Sequence, residues 1–172
     1  GVKPAVEDIE QHLDGLIANA KALLEDDWHY IHSFALNEQL GDGRNDLAEF
    51  GVHFDNWYSE KSLFDSGLIE RAMNQLEANG HLYVQDGAKW FRSTRFGDEK
   101  DRVVQRENGL YTYFASDIAY HQNKFERGFH RVINVWGADH HGYICRVKGA
   151  LAALNLDPEK LDIALVQFAN LI

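Results

Sequence analysis

Two clusters in this sequence have residue types and spacings that can do chemistry. The stretch "NVWGADHHGY", residues 134 to 143, breaks an apolar run at Gly137 and delivers Asp139, His140 and His141 before Gly142. A carboxylate beside two imidazoles has three uses. Any one of the three residues can cap a helix that opens near Gly142. Together they can ligate a metal, although adjacent residues on a turn rarely converge on one ion and other ligands are then needed. Or they can serve a nucleotide, with Gly137 small enough for close approach of a base and Asp139 accepting from ribose hydroxyls. The second cluster is "YFASD", where Tyr113 and Asp117 stand four residues apart. If the segment is helical, or if Ser116 opens a helix, the two share a face and can enclose one ligand. The plainer alternative puts Tyr113 in the core and makes Asp117 a helix cap.

The elements that position these residues are legible from periodicity. Val6, Ile9, Leu13, Leu16, Ile17, Ala20, Leu23 and Leu24 fall at intervals of three and four and predict a first helix. A second is expected over Tyr30 to Leu40, ended by the glycines and turn formers of "GDGRND". A third should take Asp65 or Ser66 as N-cap, bury Leu68, Ile69, Ala72, Met73 and Leu76, and stop at Gly80. From residue 81 the pattern shifts to short β-rich runs broken by Asp-Gly and Asn-Gly, the strongest hairpin dipeptides. A strand at Val132 to Trp136, a helix with Ile144, Val147, Leu151 and Leu154 on one face, and a strand from Ile163 then form a βαβ unit. Ligands of such units bind at the carboxyl ends of the strands, where Gly137, Asp139 and His140 fall. Two other features are expected to be structural: the mixed-charge loop "RSTRFGDEKDR" as a solvated turn, and Trp57 with Tyr58 as core anchors.

Length and composition fit a single α/β domain. The 172 residues, 45% hydrophobic and 26% charged, suffice for one core. Residues 1–80 are expected to be mainly helical, 81–112 a β-hairpin insert and 113–172 the βαβ part. A net charge of −10 argues against a nucleic-acid surface built on bulk positive charge. The single cysteine, Cys145, excludes an internal disulfide framework and a multi-cysteine zinc site, and makes the cytoplasm the default compartment. No run approaches the roughly 20 apolar residues of a membrane helix. The start at Gly1 and the finish in the apolar run "DIALVQFANLI" predict a piece of a longer protein, monomeric on its own.

Three stretches, "HFDNWYSEKSLFDSG", "TYFASDIAYHQNKFERGF" and "NVWGADHHGYICRVKGAL", together resemble the arginyl-tRNA synthetases, class I aminoacyl-tRNA synthetases, over nearly the whole chain. The resemblance implies part of a Rossmann-type catalytic domain that joins arginine to ATP and passes the arginyl group to tRNA(Arg). By that similarity Tyr113, Asp117 and His140 bind arginine, while Gly137, Asp139 and His140 meet ATP. ATP is then a substrate accompanied by magnesium, with no tightly bound cofactor and no metal ligands in this stretch. The family's His-x-Gly-His and Lys-Met-Ser-Lys-Ser-like motifs are not in these 172 residues. The chain is therefore expected to hold substrates, to contain no catalytic residue and to be inactive alone. The triplet Asp-His-His also resembles a phosphoesterase family named for it, but the Asp-x-Asp motif of a two-metal site does not accompany it. A non-catalytic α/β module that binds a nucleotide or a partner chain is the other alternative.

Overall fold

A computed structural model describes residues 9–170, which divide into two compact units, one ending at Trp57 and one beginning at Tyr58. The first unit is a helical pair, α1 (Ile9–Leu24) and α2 (Asp27–Glu49). Val6, the first position of the expected stripe, lies outside the described residues; Leu13, Leu16 and Ile17 are on α1 and stay exposed. The expected stop at "GDGRND" is overturned, because α2 runs through Gly41 and Gly43 to Glu49. A glycine in a helix interior costs only about 1 kcal/mol, and helix formers flank both: Glu38, Gln39 and Leu40 before, Leu47, Ala48 and Glu49 after. The helix ends instead at Gly51, whose φ of +81° a residue with a β-carbon disfavours. Trp57 is 40% exposed in this unit and is no core anchor.

The second unit holds the core. A short helix α3 (Lys61–Asp65) precedes α4 (Leu68–Ala78). The expected N-cap at Asp65 or Ser66 is displaced to Gly67, because the Ser66 hydroxyl bonds back to the Ser62 carbonyl and closes α3. The stripe Ile69, Ala72, Met73 and Leu76 is buried as its spacing requires. At the far end the His81 N–H reaches the Leu76 carbonyl and the Gly80 N–H reaches Glu77, a Schellman closure built on a left-handed glycine.

Strands β1 (Leu82–Gln85), β2 (Ala88–Phe91) and β3 (Arg102–Gln105) form an antiparallel sheet in sequence order. Asp86 and Gly87, both at positive φ, make the two-residue turn between β1 and β2. Asn108-Gly109 reverses the chain after β3, bringing Tyr111 back to Gln105 as an isolated bridge. Helix α5 (Tyr113–Glu126) then packs on α4, with Phe114, Ala115, Ile118 and Ala119 in the core.

The chain closes with β4 (Val132–Gly137), α6 (Ile144–Ala153) and β5 (Leu161–Val166). The two strands pair in parallel from Val132 opposite Leu161 to Gly137 opposite Val166, and Val147 and Leu151 of α6 cover one face. The strand–helix–strand order is the expected one, with β4 reaching Gly137 and β5 starting at Leu161, two residues before the expected Ile163. The α4 side chains Gln75 and Asn79 donate to the Leu154 and Ala153 carbonyls, satisfying acceptors that the end of α6 leaves free.

The charged loop departs from its expected role as a solvated turn. The Asp98 side chain, only 6% exposed, accepts from Arg102 Nε and Nη2 at 2.7 Å each and from Arg146 Nε at 3.2 Å. The Arg102 guanidinium holds the Asp98 carboxyl well below the usual carboxylate range. A bidentate pair of this kind can be buried because its hydrogen bonds replace the lost water, and it ties the hairpin region to α6.

Candidate active site

Helix α5 presents Asp117, His121 and Lys124 along one flank, at intervals of four and three. That flank faces β4, whose alternation buries Val132 and Asn134 on the same side. His121, 3% exposed, donates from Nδ1 to the Asp117 backbone carbonyl at 2.7 Å and accepts at Nε2 from the Asn134 amide at 2.7 Å. The other end of that amide accepts from Lys124 Nζ at 3.0 Å. Each partner fixes the next: a carbonyl can only accept, so His121 is neutral with its proton on Nδ1, and Asn134 must turn its oxygen to the lysine. Burial, with the charge of Lys124, lowers the His121 pKa to about 4. Burial lowers the Lys124 pKa to about 8, helped by Arg127 and opposed by Asp117.

Asp117 Oδ2 accepts from the Tyr143 hydroxyl at 2.6 Å. Burial pushes the Asp117 pKa up, Tyr143 opposes it, Glu60 adds to it, and Lys124 and His140 pull it down. Burial and the bond to Asp117 push the Tyr143 phenol far up, so it is a permanent donor.

Two cavities of about 220 Å³ flank Asp117 and Tyr120. One is lined by Asp117, Tyr120, His121, Lys124, Trp136, His140 and Tyr143. The other is lined by Tyr58, Glu60, Leu63, Ser116, Asp117 and Tyr120, with the Ser116 hydroxyl donating to Glu60 at 3.0 Å and the Tyr58 and Tyr120 rings stacked at 4.5 Å. Aromatic walls around carboxylates suit a planar cation. A larger recess of about 300 Å³ beside Phe96, Cys145 and Lys148 lacks such convergence, since its one close charge pair is Lys148 with Glu159.

The residues singled out from sequence divide. Asp117 and His140 meet in one cavity. Tyr113, at the first turn of α5, is 83% exposed and lines neither cavity, one helical turn from Asp117. Gly137 and Asp139 lie at the carboxyl end of β4, in the open turn that leads to α6. A β-carbon on Gly137 would stand 2.5 Å from Asp139 Oδ1, so the glycine is what lets that carboxylate sit over the strand end. Asp139 and His140 are exposed and 3.7 Å apart, and neither they nor His141 make a capping bond to the helix behind them. Among the described residues no three His, Cys, Asp or Glu side chains gather as a metal site would require. Glu60, His121, Lys124, Asn134 and Tyr143 were not singled out from sequence; a polar residue on the inward alternation of "VINVW" and three polar residues on one flank of α5 are the signals that point to them.

The family model for tRNA synthetases class I (R), catalytic domain, matches residues 28–172. The chain belongs to that family. It is 78% identical over 162 residues to an arginine–tRNA ligase of Azoarcus sp., and 72% over 170 residues to one of Nitrosospira multiformis. Those matches take in 94% and 99% of this chain but only 28% and 29% of the relatives, so the chain spans under a third of their length. Among solved structures, a Campylobacter jejuni protein described as an arginyl tRNA synthetase superposes with a TM-score of 0.79 at 34% identity, over 98% of this chain and 38% of that one. The Thermus thermophilus arginyl-tRNA synthetase, 20% identical, shares the fold with a TM-score of 0.66 over 92% of this chain and 34% of its own. This class I synthetase segment is therefore α/β, and neither the phosphoesterase nor the stand-alone module is favoured.

Proposed function

We propose that the segment forms the arginine pocket and part of the adenosine site of an arginine–tRNA ligase. Such an enzyme activates arginine with ATP and magnesium, then transfers the arginyl group to tRNA(Arg), in the cytoplasm. The observation that carries the reading is the pair of carboxylates, Asp117 and Glu60, on cavities that share the aromatic wall of Tyr120. Asp117, with one oxygen already engaged by Tyr143, turns its remaining acceptor capacity to a guanidinium. Glu60 offers a second carboxylate, Tyr113 meets arginine from outside the two cavities, one helical turn before Asp117, and His140 stands between the arginine cavity and the turn at the strand end. Gly137 and Asp139 receive the adenosine there, with Asp139 accepting from ribose hydroxyls. All of these groups bind and orient; the segment contributes positioning to the reaction, and phosphate chemistry falls to residues outside it. Among the described residues no helix is long and apolar enough to cross a membrane.

The test is Asp117→Asn in a full-length ligase carrying this chain as its matching segment. An amide keeps the shape but loses the charge, so arginine affinity falls by about 2 kcal/mol or more, roughly thirtyfold. The KM for ATP stays unchanged in pyrophosphate exchange, and citrulline, which lacks the positive charge, is penalised far less as a competitor. A folded variant with wild-type arginine affinity makes Asp117 a structural residue and removes the reading.

A further inference from the structure

The arginine cavity contains a cation of its own. Lys124 lies in the wall it shares with Asp117, its ammonium held at 3.0 Å by Asn134 Oδ1 and 4.2 Å from the centre of the Tyr120 ring. A charged lysine in a pocket for a positively charged side chain is paradoxical until the whole charge set is counted. On α5 the acidic and basic groups that line the cavities are Asp117, His121 and Lys124; Glu126 pairs with Arg71 and lines neither, and Arg127, just past the helix, stands over the Tyr58 and Phe129 rings and lines neither. β4 contributes the neutral Asn134, the turn after it His140 and Tyr143, and the segment before α3 contributes Glu60. His121 is locked neutral by its two hydrogen bonds. With both histidines uncharged, two carboxylates, Asp117 and Glu60, therefore face one ammonium.

We infer that Lys124 is the internal counter-ion of Asp117: it keeps the carboxylate ionised while the pocket is empty and leaves a single net negative charge, matched to one monocationic side chain. This rests on the arginine-binding reading above. A half-buried carboxylate beside another acid takes up a proton unless a cation is near, and a protonated Asp117 has to lose that proton before it can receive a guanidinium. Lys124 lowers that cost in advance. Asn134 makes the arrangement rigid, because its amide joins Lys124 to His121, and His121 is bonded to the Asp117 carbonyl itself. The lysine thus acts through Asp117, as a positioning and specificity residue.

The experiment uses a full-length ligase carrying this segment, with Lys124→Met, which keeps the chain length and drops the charge, and Lys124→Arg, which keeps the charge. Below pH 7 the unaltered enzyme and Lys124→Arg show the same pH dependence of the arginine KM. In Lys124→Met that constant falls more steeply with rising pH, because an additional fraction of a proton leaves Asp117 as arginine binds. Calorimetry in two buffers of different ionisation enthalpy counts that proton directly. A second measurement needs no methionine variant: near pH 8 bound arginine expels part of the Lys124 proton in the unaltered enzyme, and Lys124→Arg abolishes that release because a guanidinium does not titrate. A folded Lys124→Met with wild-type pH behaviour overturns the inference, as does an equal loss of arginine and ATP affinity with no added pH slope. If the unaltered enzyme binds no arginine, the functional reading fails and takes the counter-ion with it.

Discussion

Tyr143→Phe removes one oxygen and leaves the ring. The phenol donates to Asp117 Oδ2 at 2.6 Å, while the ring packs against Phe114 and Trp136 with centroids at 6.0 and 5.8 Å, contacts that Phe preserves. Losing a hydrogen bond to a charged acceptor costs about 1.5–3 kcal/mol. The sign with pH follows from Asp117, whose folded pKa is raised by burial despite the Tyr143 bond. A carboxyl raised in this way favours the folded state at low pH and loses that favour as pH rises through its folded pKa. Removing Tyr143 raises the pKa further, so the variant is less stable than wild type at pH 7, and the gap closes as pH falls below the ordinary carboxylate value of about 4.

Arginine binding follows the same logic. At pH 7 the variant orients Asp117 less firmly and holds its ionised form less well, and the arginine KM rises by roughly ten- to a hundredfold, the equivalent of that hydrogen bond. The KM for ATP is unchanged. Pyrophosphate exchange in a full-length ligase carrying this segment, run at pH 7 and 8.5, separates charge from orientation. If charge dominates, the ratio of variant to wild-type KM shrinks at the higher pH. A folded variant with wild-type arginine KM at pH 7, and a melting-temperature gap that ignores pH, refutes the role given to Tyr143.

Two further outcomes follow from the geometry. Asp98→Asn strips the charge from a carboxylate that holds Arg102 and Arg146; it should destabilise the enzyme by about 2–3 kcal/mol at pH 7, below the figure for a fully buried pair because both arginines are partly exposed. The depressed pKa of Asp98 means that this contribution persists above the ordinary carboxylate range and is lost only in stronger acid, which melting temperatures at pH 7 and pH 3 compare; equal melting of variant and wild type at pH 7 would falsify it. Gly137→Ala places a β-carbon 2.5 Å from Asp139 Oδ1, and the exposed aspartate swings away. The ATP KM then rises with little change in melting temperature, whereas an unchanged ATP KM detaches Asp139 from the nucleotide.

Much of the architecture was legible because single local rules dictate it. Ile69, Ala72, Met73 and Leu76 could only be one buried face, Asp86-Gly87 could only be a tight reversal, and the apolar runs around α6 had the lengths of a βαβ unit. Reading failed where a tertiary contact outweighs a local signal. Gly41 and Gly43 mark a turn by composition, yet the helix formers around them carry α2 past both. The loop 92–102 has the mixed charge of a solvated turn, and nothing in it announces that Arg146, 48 residues beyond Asp98, completes an ion cluster.

The site shows the same division. Contiguous polar residues draw the eye, and Asp139, His140 and His141 are contiguous because they occupy an exposed turn where polarity has no desolvation cost. The pocket that holds Asp117 is built the opposite way, from single polar residues placed at positions where periodicity calls for apolar ones: His121 and Lys124 on the flank of α5, Asn134 on the inward side of β4. Burying each alone would cost a few kcal/mol in unmet hydrogen bonds. Together they satisfy one another, and the chain from the Asp117 carbonyl through His121 and Asn134 to Lys124 is affordable only as a unit. A helix and a strand that share such a chain cannot shift relative to each other without orphaning a donor. Asp117, at the head of that chain, is therefore fixed by the helix and the strand together, whereas Asp139, in the exposed turn, is held by no such chain.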